Sequence, residues 1–497
     1  MTARLLPSLL VLAAAAAVLA AILALNHGVF TYSLDDPYIH LALSERLRLG
    51  HYGINPGEAA APSSSVLWPL LLAPLAGTAL HMWLPLGLNL ACLLASVEML
   101  RRLAARRLPP LPAALAAALL ALSLNFVGLA FTGMEHGLQV ALALAVLCGL
   151  LEFEGNGQVS PLLTAAIVLG PLVRFEAVAV SSMALLVLAL SGRRRLAAGL
   201  GLATLLPLAA FAVFLVRLGL PPLPASVLTK LAAGQGAPFD LAVLLVVRWG
   251  AVLEALLLVA LAASLTQAEG RRRWRLVLFA GGVGLAHLLA GRWGWSGFYR
   301  YEIYALTLSA AALVELYGDR LPGLPARRLA IGGLALVVLC HPLLAATQRT
   351  PLAANDVYLQ QYQMHRFVTG YARSAVAVND LGWISYGNPA PVLDLWGLAS
   401  EDARQARAAA GPGWMAELVE AHRVPLAMIY ADVFGAAVPA SWIPLARLEL
   451  GRAPVSAARG DVTVYATRSE AAAPLRQALS AFAPTLPAEA RLVMPLP

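Results

Sequence analysis

Two adjacent carboxylates, Asp35 and Asp36, are the residues of this sequence whose type and spacing point most directly to chemistry. They follow an apolar run long enough to cross a bilayer and precede Pro37. A carboxylate near cations stays ionised at neutral pH and can accept a proton from a hydroxyl, so one aspartate could act as a general base while the other orients it or binds substrate. The same position also suits a helix start, with either aspartate as the cap and Pro37 in the first turn. The spacing alone leaves catalysis and capping open.

Other ionisable and aromatic residues collect in the segments that join the apolar runs. They are His51, Asn55 and Glu58 in the first such segment, Glu135 and His136 in TGMEH, Arg174 and Glu176 in LVRFEA, Lys230 in PPLPASVLTK, and Arg292, Trp295, Tyr299, Arg300 and Tyr301 in GRWGWSGFYRYE. Ionisable groups at membrane depth are costly, so they normally face a protein interior or a wet cavity. Arginine and lysine can clamp a phosphate, arginine through two parallel hydrogen bonds. Together with the carboxylates, they predict a site for an anionic headgroup and for a reaction that needs a base.

Each of these groups also has a structural interpretation, which the sequence leaves open. The acid and histidine of TGMEH could mark a helix start, and the charged pair of LVRFEA could be a local ion pair at a tight turn. The lone cations could extend to the lipid headgroups, the commoner fate of an interfacial cation. The aromatic residues Trp293, Trp295, Tyr299 and Tyr301 could form a membrane belt.

The composition predicts a polytopic membrane protein. Of the 497 residues, 60% are hydrophobic and 12% are charged, whereas a soluble chain carries about a quarter charged residues. Many arginines cluster between apolar runs, at 101–107, 193–195, 271–275 and 326–328, which is the pattern of the positive-inside rule. The net charge of +8 is therefore assigned to topology and not to nucleic-acid binding. Cys92, Cys148 and Cys340 predict neither a disulfide framework nor a CxxC pair.

The apolar runs predict eleven crossings, with the N-terminus in the cytoplasm. The predicted spans are 5–25, 83–100, 110–127, 134–152, 160–175, 176–191, 196–217, 241–266, 276–291, 302–318 and 329–348. Helices at 37–50 and 63–80 are predicted to lie at the outer interface, the latter with Trp68 and Trp83 at headgroup level. After residue 350, short β-type runs alternate with helical patterns, which predicts a small α/β domain.

Five motifs in series resemble the GT-C superfamily of integral-membrane glycosyltransferases, nearest to the branch of terminal cell-wall arabinofuranosyltransferases and their bacterial relatives. SLDDPYIHLALSERLRLGHYGINPGE resembles the first outer loop of that superfamily, and TGMEHGL resembles its T-G-x-E motif. LVRFEA resembles L-x-R-P-E with Phe175 in place of proline, and LPASVLTK resembles L-P-N-S-x-x-x-K with Ala225 in place of asparagine. NDLGWISYGNPAPVLDLWGLAS resembles a D-x-G-x-I-x-Y string in the soluble tail, which contains Asp380 and Asp394.

The resemblance implies a fold and a location. It implies an all-α polytopic GT-C domain over residues 1–348, followed by a small α/β extracytoplasmic domain over 349–497. The protein would lie in a bacterial inner membrane, with the lipid bilayer as a partner and no nucleic acid.

The resemblance also implies an inverting transfer of a sugar from a polyprenyl-phosphate donor to a glycan, lipid or protein acceptor. Asp35 or Asp36 would be the general base. Lys230, Arg292, Arg300 and, more weakly, Arg174 would bind the donor phosphate. The remaining substrate-binding candidates are Glu135, His136, His51, Asn55, Glu58, Glu176, Trp295, Tyr299 and Tyr301. The resemblance implies no certain cofactor and leaves open a divalent cation at Asp35 or Asp36, since some members of the superfamily use one.

Departures from the family pattern keep other functions open. The segment AAAPSSSVLW replaces a V-E-G-Y-T-type segment on the acceptor side, and Ala225 replaces an asparagine. The alternatives are an oligosaccharide ligase, a lipid-linked-sugar flippase or transporter, and a catalytically dead envelope-assembly protein.

Overall fold

The computed structural model describes residues 2–234, 248–294, 298–409, 411 and 413–494. The chain divides into two compact units. The helical unit comprises Met1–Ala20, Pro85–Ala210 and Pro238–Thr350, and the sheet unit comprises Ala21–Leu84, Phe211–Ala237 and Pro351–Pro497. Four of the divisions fall inside described helices, namely Thr2–Leu25, Leu84–Ala104, Arg194–Arg217 and His341–Leu359.

The helical unit follows the apolar runs of the sequence closely. Its other described helices are Leu84–Ala104, Pro110–Ser123, Phe126–Phe131, His136–Asn156, Pro161–Val173, Val178–Leu190, Trp249–Ser264, Ala268–Arg272, Trp274–Ala290, Ile303–Tyr317 and Ala326–Leu339. Proline opens two of them, and Ser160 caps the helix that starts at Pro161 by accepting the N–H of Leu163 at 3.2 Å. Helix boundaries therefore lie where the sequence offers capping chemistry.

Several helices have the length and composition of membrane spans. Within the described part of the chain, four have at least 18 residues and are apolar enough to cross a membrane: Arg4–Leu25, His81–Ala104, His136–Asn156 and Arg194–Arg217. The bent pair Arg327–Leu339 and His341–Ala372 adds a fifth if it counts as one span, and further apolar helices have 10–17 residues. Leu202, Leu205 and Leu206 are more than half exposed on one of the long helices, as expected for side chains that face lipid. The chain is a multi-pass membrane protein, and the count of eleven crossings stays a prediction.

Arginines from two of the basic clusters meet at one buried carboxylate of the helical unit. Arg107 and Arg106 contact Glu315 at 2.9 and 3.3 Å, and Arg273 also pairs with it. Glu315 is fully buried, so these three partners compensate its charge. The clusters at 101–107 and 271–275 therefore lie at the same end of the helical unit, in the arrangement that the positive-inside pattern predicts.

A six-stranded mixed sheet forms the centre of the sheet unit. Its strands are β1 (Val376–Val378), β2 (Val392–Asp394), β3 (Leu426–Ile429), β4 (Ile443–Leu450), β5 (Asp461–Ala466) and β6 (Ala490–Val493). The order is β2-β1-β3-β5-β4-β6, with β1 parallel to β2 and β3 and the remaining pairs antiparallel. This confirms the small sheet domain that the β-type runs near the C-terminus predict.

Helices from distant parts of the sequence complete the sheet unit. They are Asp36–Arg48, Leu67–Leu72, Ala225–Gly234, Gln361–Arg366, Gly382–Ser385, Glu401–Ala409, Trp414–Ala421, Ala431–Phe434 and Ser469–Phe482. Ile39 and Leu43 of the first of these helices are buried in the same core as the sheet residues Val376 and Leu426. The apolar face that was predicted to lie on the membrane surface is therefore part of a protein core.

The predicted interfacial helix at 63–80 is shorter than expected. The α-helix covers Leu67–Leu72 and is followed by a 3-10 turn at Ala73–Leu75. Pro74 lacks the N–H that a continuing helix needs, and Gly77 has a φ of +79°, so the segment cannot continue as one helix. Trp68 is completely buried, so its predicted position at headgroup level is wrong.

Candidate functional site

The carboxylate of Asp35 binds backbone amides of the sheet unit. Its Oδ2 accepts the N–H of Gly382 and its Oδ1 accepts the N–H of Trp383, both at 2.8 Å. Asp35 occupies the N-cap position of helix Asp36–Arg48, but its side chain makes no capping hydrogen bond to that helix. The two oxygens instead accept from the turn after β1 (residues 379–383), where helix Gly382–Ser385 begins, so capping of helix Asp36–Arg48 does not explain this aspartate.

A third carboxylate, Asp380, belongs to the same cluster. Its Oδ2 accepts the Tyr430 hydroxyl at 2.7 Å and the Gln361 amide at 3.0 Å. Burial raises the pKa of Asp35 to about 8, and the negative charges of Asp380 and Asp36 contribute to that increase. Burial likewise raises the pKa of Asp380 above its ordinary value, with a contribution from Asp36. Asp35, Asp36 and Asp380 are called the acid cluster below.

Aromatic contacts fix the position of helix Asp36–Arg48 next to this cluster. The rings of Tyr38 and Trp383 have centroids 3.9 Å apart, and Tyr38 Oη accepts the N–H of Tyr32 at 2.9 Å. On the same helix, Ser44 Oγ lies 2.8 Å from His81 Nε2, whose Nδ1 is 3.3 Å from the Tyr386 hydroxyl. These contacts join helix Asp36–Arg48 to the segment that contains Trp383 and Tyr386. They therefore fix the position of Asp35, which directly precedes that helix.

The candidates of the GHYGINPGE segment bind a strand edge. Asn55 donates to the carbonyl of Val392 at 2.9 Å and accepts the Val392 N–H at 2.8 Å, so its side chain pairs with β2 as a strand would. It also donates to Glu58 at 2.8 Å, and His51 Nε2 lies 2.9 Å from the Asn55 carbonyl. These contacts give the three residues a structural role, and substrate binding by them stays a prediction.

Asp394 organises a loop at the end of β2. Its carboxylate accepts the N–H groups of Trp396, Leu398 and Ala399 at 2.9, 2.5 and 2.9 Å, respectively. Its side chain is completely buried, and that burial raises its pKa to about 6. The tail motif thus contains one aspartate that builds a loop and another, Asp380, that belongs to the acid cluster.

The acid cluster consists of carboxylates, the residue type that binds divalent cations, but its side chains are not arranged as the ligands of a cation site. Within the described ranges, no three His, Cys, Asp or Glu side chains are grouped so that they could hold a metal ion. Both oxygens of Asp35 already accept backbone N–H groups. The residues therefore do not fit a divalent cation, and no chemical step is derived through one.

Candidates from two other motifs meet in the helical unit as a buried ion triad. Arg174 contacts Glu135 at 2.7 Å and Glu176 at 2.5 Å, and it is 2% exposed while Glu135 is 0% exposed. The helix Pro161–Val173 ends just before Arg174, whose backbone is extended and leads into a 3-10 turn at Phe175–Ala177. This break in the helix places Arg174 beside Glu176. The predicted local ion pair exists, and it extends to a carboxylate 39 residues earlier in the sequence.

The ring of Tyr301 gathers further candidates beside the triad. The guanidinium carbons of Arg300, Arg174 and Arg292 lie 4.8, 5.6 and 5.7 Å from its centroid. His136 meets the same ring edge-on at 5.4 Å, and Arg300 donates to the Tyr301 hydroxyl at 2.9 Å. Glu135, His136, Arg174, Glu176, Arg292, Arg300 and Tyr301 are called the arginine cluster below. Two arginines beyond the triad make its formal charge positive, which suits an anion.

The segment that carries Arg292 is held by contacts of the two residues that follow it. Trp293 packs against His287 with ring centroids 4.5 Å apart, and the Gly294 N–H donates to Glu302 at 3.0 Å. A Cβ on Gly250 would lie 2.7 Å from Glu302 Oε1, so glycine permits this close approach. Farther along, Phe298 and Tyr299 have positive φ angles of 56° and 55°, a strained conformation that persists only where the surroundings impose it.

Burial decides between a membrane belt and a protein interior for the aromatic candidates. Trp293, Tyr299 and Tyr301 are each less than one tenth exposed, so the membrane-belt interpretation is wrong for these three. Trp295 lies outside the described residues, and Lys230 lies in helix Ala225–Gly234, of which only the backbone is described there.

Sequence reasoning missed residues that lie far along the chain from their partners. Gly382 and Trp383 belong to the tail motif, so its D-x-G string was a usable signal. Tyr430 and Gln361 stand in no motif, and nothing in their local sequence marks them. Their role depends on hydrogen bonds to Asp380 across 50 and 19 residues of sequence.

Comparisons with known proteins agree with this architecture. A family described as a domain of unknown function (DUF8728) matches residues 354–465. No curated protein matches the sequence. The crystal structure of ArnT from Cupriavidus metallidurans in the apo state is similar with a TM-score of 0.53 and 13% identity, over 88% of this chain and 94% of that chain. The structure of the same protein bound to undecaprenyl phosphate gives 0.53 and 12%, over 93% and 98%.

The likeness to ArnT defines the fold class. The similarity to ArnT extends over nearly all of both chains, so the chain has the fold of ArnT. That this fold is of the GT-C type is what the series of sequence motifs predicts.

Proposed function

We propose that this protein is an inverting glycosyltransferase that moves a sugar from a polyprenyl-phosphate donor to a hydroxyl of an extracytoplasmic glycan, lipid or protein acceptor. The observation that carries the proposal is the acid cluster, in which two backbone N–H groups hold Asp35 beside Asp36. The GT-C fold supports a lipid-linked donor, because one of the similar ArnT structures is bound to undecaprenyl phosphate. The motif series supports the arabinofuranosyltransferase branch as the nearest functional relatives.

The acid cluster divides its work between two adjacent aspartates. Asp35 uses one oxygen for each backbone N–H, and burial favours its protonated form. We assign Asp35 as the positioning residue and Asp36 as the general base. Asp36 takes the proton of the acceptor hydroxyl as the oxygen attacks the anomeric carbon. The new glycosidic bond forms while the bond from that carbon to the phosphate oxygen breaks, and polyprenyl phosphate leaves with the bonding electrons.

The arginine cluster serves the leaving phosphate. Glu135 and Glu176 neutralise Arg174, so the cations best suited to an anion are Arg292 and Arg300. A guanidinium can donate two parallel hydrogen bonds to phosphate oxygens, which stabilises the charge that develops as the donor bond breaks. In this assignment, the triad fixes the shape of the arginine cluster, and the remaining arginines bind the donor.

The test is transfer by the purified protein in nanodiscs with a panel of polyprenyl-phosphate sugars, measured as release of polyprenyl phosphate. We expect Asp36→Asn to lower kcat by about 10²–10⁴-fold, the usual contribution of a general base, while donor binding persists. Asp35→Asn should lower both turnover and stability, because an amide NH₂ would face a backbone N–H. Asp402→Asn is the matched control, since Asp402 is an exposed aspartate of the same unit.

Two results would contradict the proposal. Transport of the donor without release of polyprenyl phosphate would identify a flippase. Unchanged turnover in both Asn variants would show that the base lies elsewhere.

A further inference from the structure

The turn after β1 connects the C-terminal sheet to the acid pair through two kinds of contact. Its backbone donates to Asp35 from Gly382 and Trp383, and its Asp380 side chain accepts from Tyr430 and Gln361. Asn379 adds to the same fixation, because its Oδ1 accepts the Tyr430 N–H at 2.8 Å. Hydrogen bonds at four of the five positions 379–383 therefore fix this turn where it meets helix Asp36–Arg48.

The fit of the turn against Asp35 leaves no spare room. A Cβ at Gly382 would lie 2.5 Å from both Cγ and Oδ2 of Asp35 and would also meet the Asp35 carbonyl oxygen. The backbone N–H of Gly382 can approach the carboxylate only because the residue has no side chain. The contact is therefore built into the sequence of the tail motif.

Charge as well as geometry couples the turn to the acid pair. The charges of Asp380 and Asp36 each disfavour the ionised form of Asp35, and Asp36 acts in the same sense on Asp380. Tyr38 and Tyr430 also face this pair. Burial raises the pKa of both hydroxyls, and the charge of Asp356 contributes to the increase at Tyr430. A third carboxylate beside a catalytic pair raises the proton affinity of that pair, because like charges repel.

We propose that Asp380, held by Tyr430 and Gln361, is a positioning residue that sets the charge of the Asp35–Asp36 pair. This inference rests on the proposed function and deepens it, since it makes the C-terminal sheet part of the acceptor-activating site. When Asp36 takes the acceptor proton, the acid cluster loses one negative charge. The repulsion that Asp380 contributes is relieved in that step, which favours proton transfer.

The test compares the pH profile of turnover in Asp380→Asn and in the wild-type protein. The amide keeps an acceptor oxygen for Tyr430 and removes one negative charge. We expect the acidic limb of the kcat/KM profile to move to lower pH by about one unit, the scale of one neighbouring charge, with a lower maximal rate. Gln361→Glu adds a charge beside Asp380 and should move the limb to higher pH.

Asp394→Asn is the matched control. Asp394 is a buried aspartate of the same sheet that binds only its own loop among the described residues, so its replacement should lower stability and leave the acidic limb in place. An acidic limb in Asp380→Asn that superimposes on that of the wild-type protein would overturn the inference. An Asp394→Asn limb that moves as far as that of Asp380→Asn would overturn it as well.

A second readout does not depend on turnover. A carboxyl whose folded pKa is raised stabilises the fold below its unfolded pKa, and that contribution is lost as the pH rises through the folded value. The stabilisation contributed by protonated Asp394 is therefore lost as the pH rises to about 6, and that contributed by protonated Asp35 is lost as the pH rises to about 8. The Tm of the wild-type protein should therefore still fall between pH 6 and 8, and Asp380→Asn should flatten this range while Asp394→Asn should not.

The two readouts separate the inference from the proposed function. If no donor is turned over, the proposed function fails, and the Tm profile still reports the charge coupling. If turnover occurs but neither the acidic limb nor the Tm slope above pH 6 changes in Asp380→Asn, the inference alone fails.

Discussion

The acid cluster and the arginine cluster stabilise buried charge by different means. In the acid cluster, Asp35 is held by backbone N–H groups and Asp380 by a phenol and an amide, none of which cancels its negative charge. In the arginine cluster, Arg174 is held by two carboxylates that do cancel its charge. The first arrangement places like charges together and leaves their charge sensitive to proton uptake, whereas the second pairs a guanidinium with carboxylates of opposite charge. Proton transfer requires the first property, and anion binding requires the second.

The largest effect is expected from breaking the ion triad. Arg174→Gln would remove the guanidinium that pairs with the buried Glu135, so we expect the free energy of unfolding to fall by about 3–5 kcal/mol. Chemical denaturation in detergent, followed by tryptophan fluorescence, measures this. Arg102→Gln, which removes an exposed partner of Glu98, should cost about 0–1 kcal/mol. Equal losses in the two variants would mean that burial of the triad has no energetic weight.

A smaller effect is expected from removing a cation that lies outside the triad. Arg292→Gln removes a charged donor, and such hydrogen bonds contribute about 1.5–3 kcal/mol, so affinity for polyprenyl phosphate should fall by about 10–150-fold. Thermophoresis with the protein in nanodiscs measures this affinity. The control is Arg320→Gln, since Arg320 also lies over a tyrosine ring, that of Tyr317, at 5.0 Å. If both variants bind polyprenyl phosphate equally well, the assignment of Arg292 to the phosphate is wrong.

The smallest of these effects is expected at Gly382, whose backbone N–H donates to Asp35 in the acid cluster. Gly382→Ala forces a Cβ against the Asp35 carboxylate, and overpacking of this kind costs about 1–3 kcal/mol. Turnover should also fall, because the displaced carboxylate no longer orients Asp36. Gly370→Ala, at a glycine whose added Cβ meets nothing within 4 Å, should leave both stability and turnover near wild type. Wild-type turnover in the Gly382→Ala variant would show that the contact between Gly382 and Asp35 does not affect catalysis.

The sequence predicts the helices of this protein well because apolar runs and breakers are local signals. The run predicted as a span at 302–318 is the helix Ile303–Tyr317, and the predicted break at Arg174 is observed between Val173 and Val178. The segment 63–80 was predicted less well, because its prolines interrupt a pattern that is otherwise continuous.

The site was predicted in part. The motifs predicted Glu135, Arg174 and Tyr301 as site residues, and the structure brings them into one cluster, while their role stays a prediction. The partners of Asp35 could not be derived, because Gly382 lies 347 residues away and its N–H group is common to almost every residue type. Hydrogen bonds to backbone leave no side-chain pattern in a sequence, so the distinction between capping and positioning required the fold.

The pairing of Asn55 with Val392 has a consequence for how the protein is made. The two residues are 337 positions apart, and the side chain of one completes the outer edge of β2, which is the first strand of the sheet. An uncovered strand edge readily recruits other chains. During synthesis, the segment that contains Asn55 must wait until the C-terminal strands have emerged, so the sheet cannot be completed before the end of the chain is made. A fragment that begins at residue 349 would lack this edge cover, and we expect it to aggregate on expression unless residues 21–84 are supplied with it.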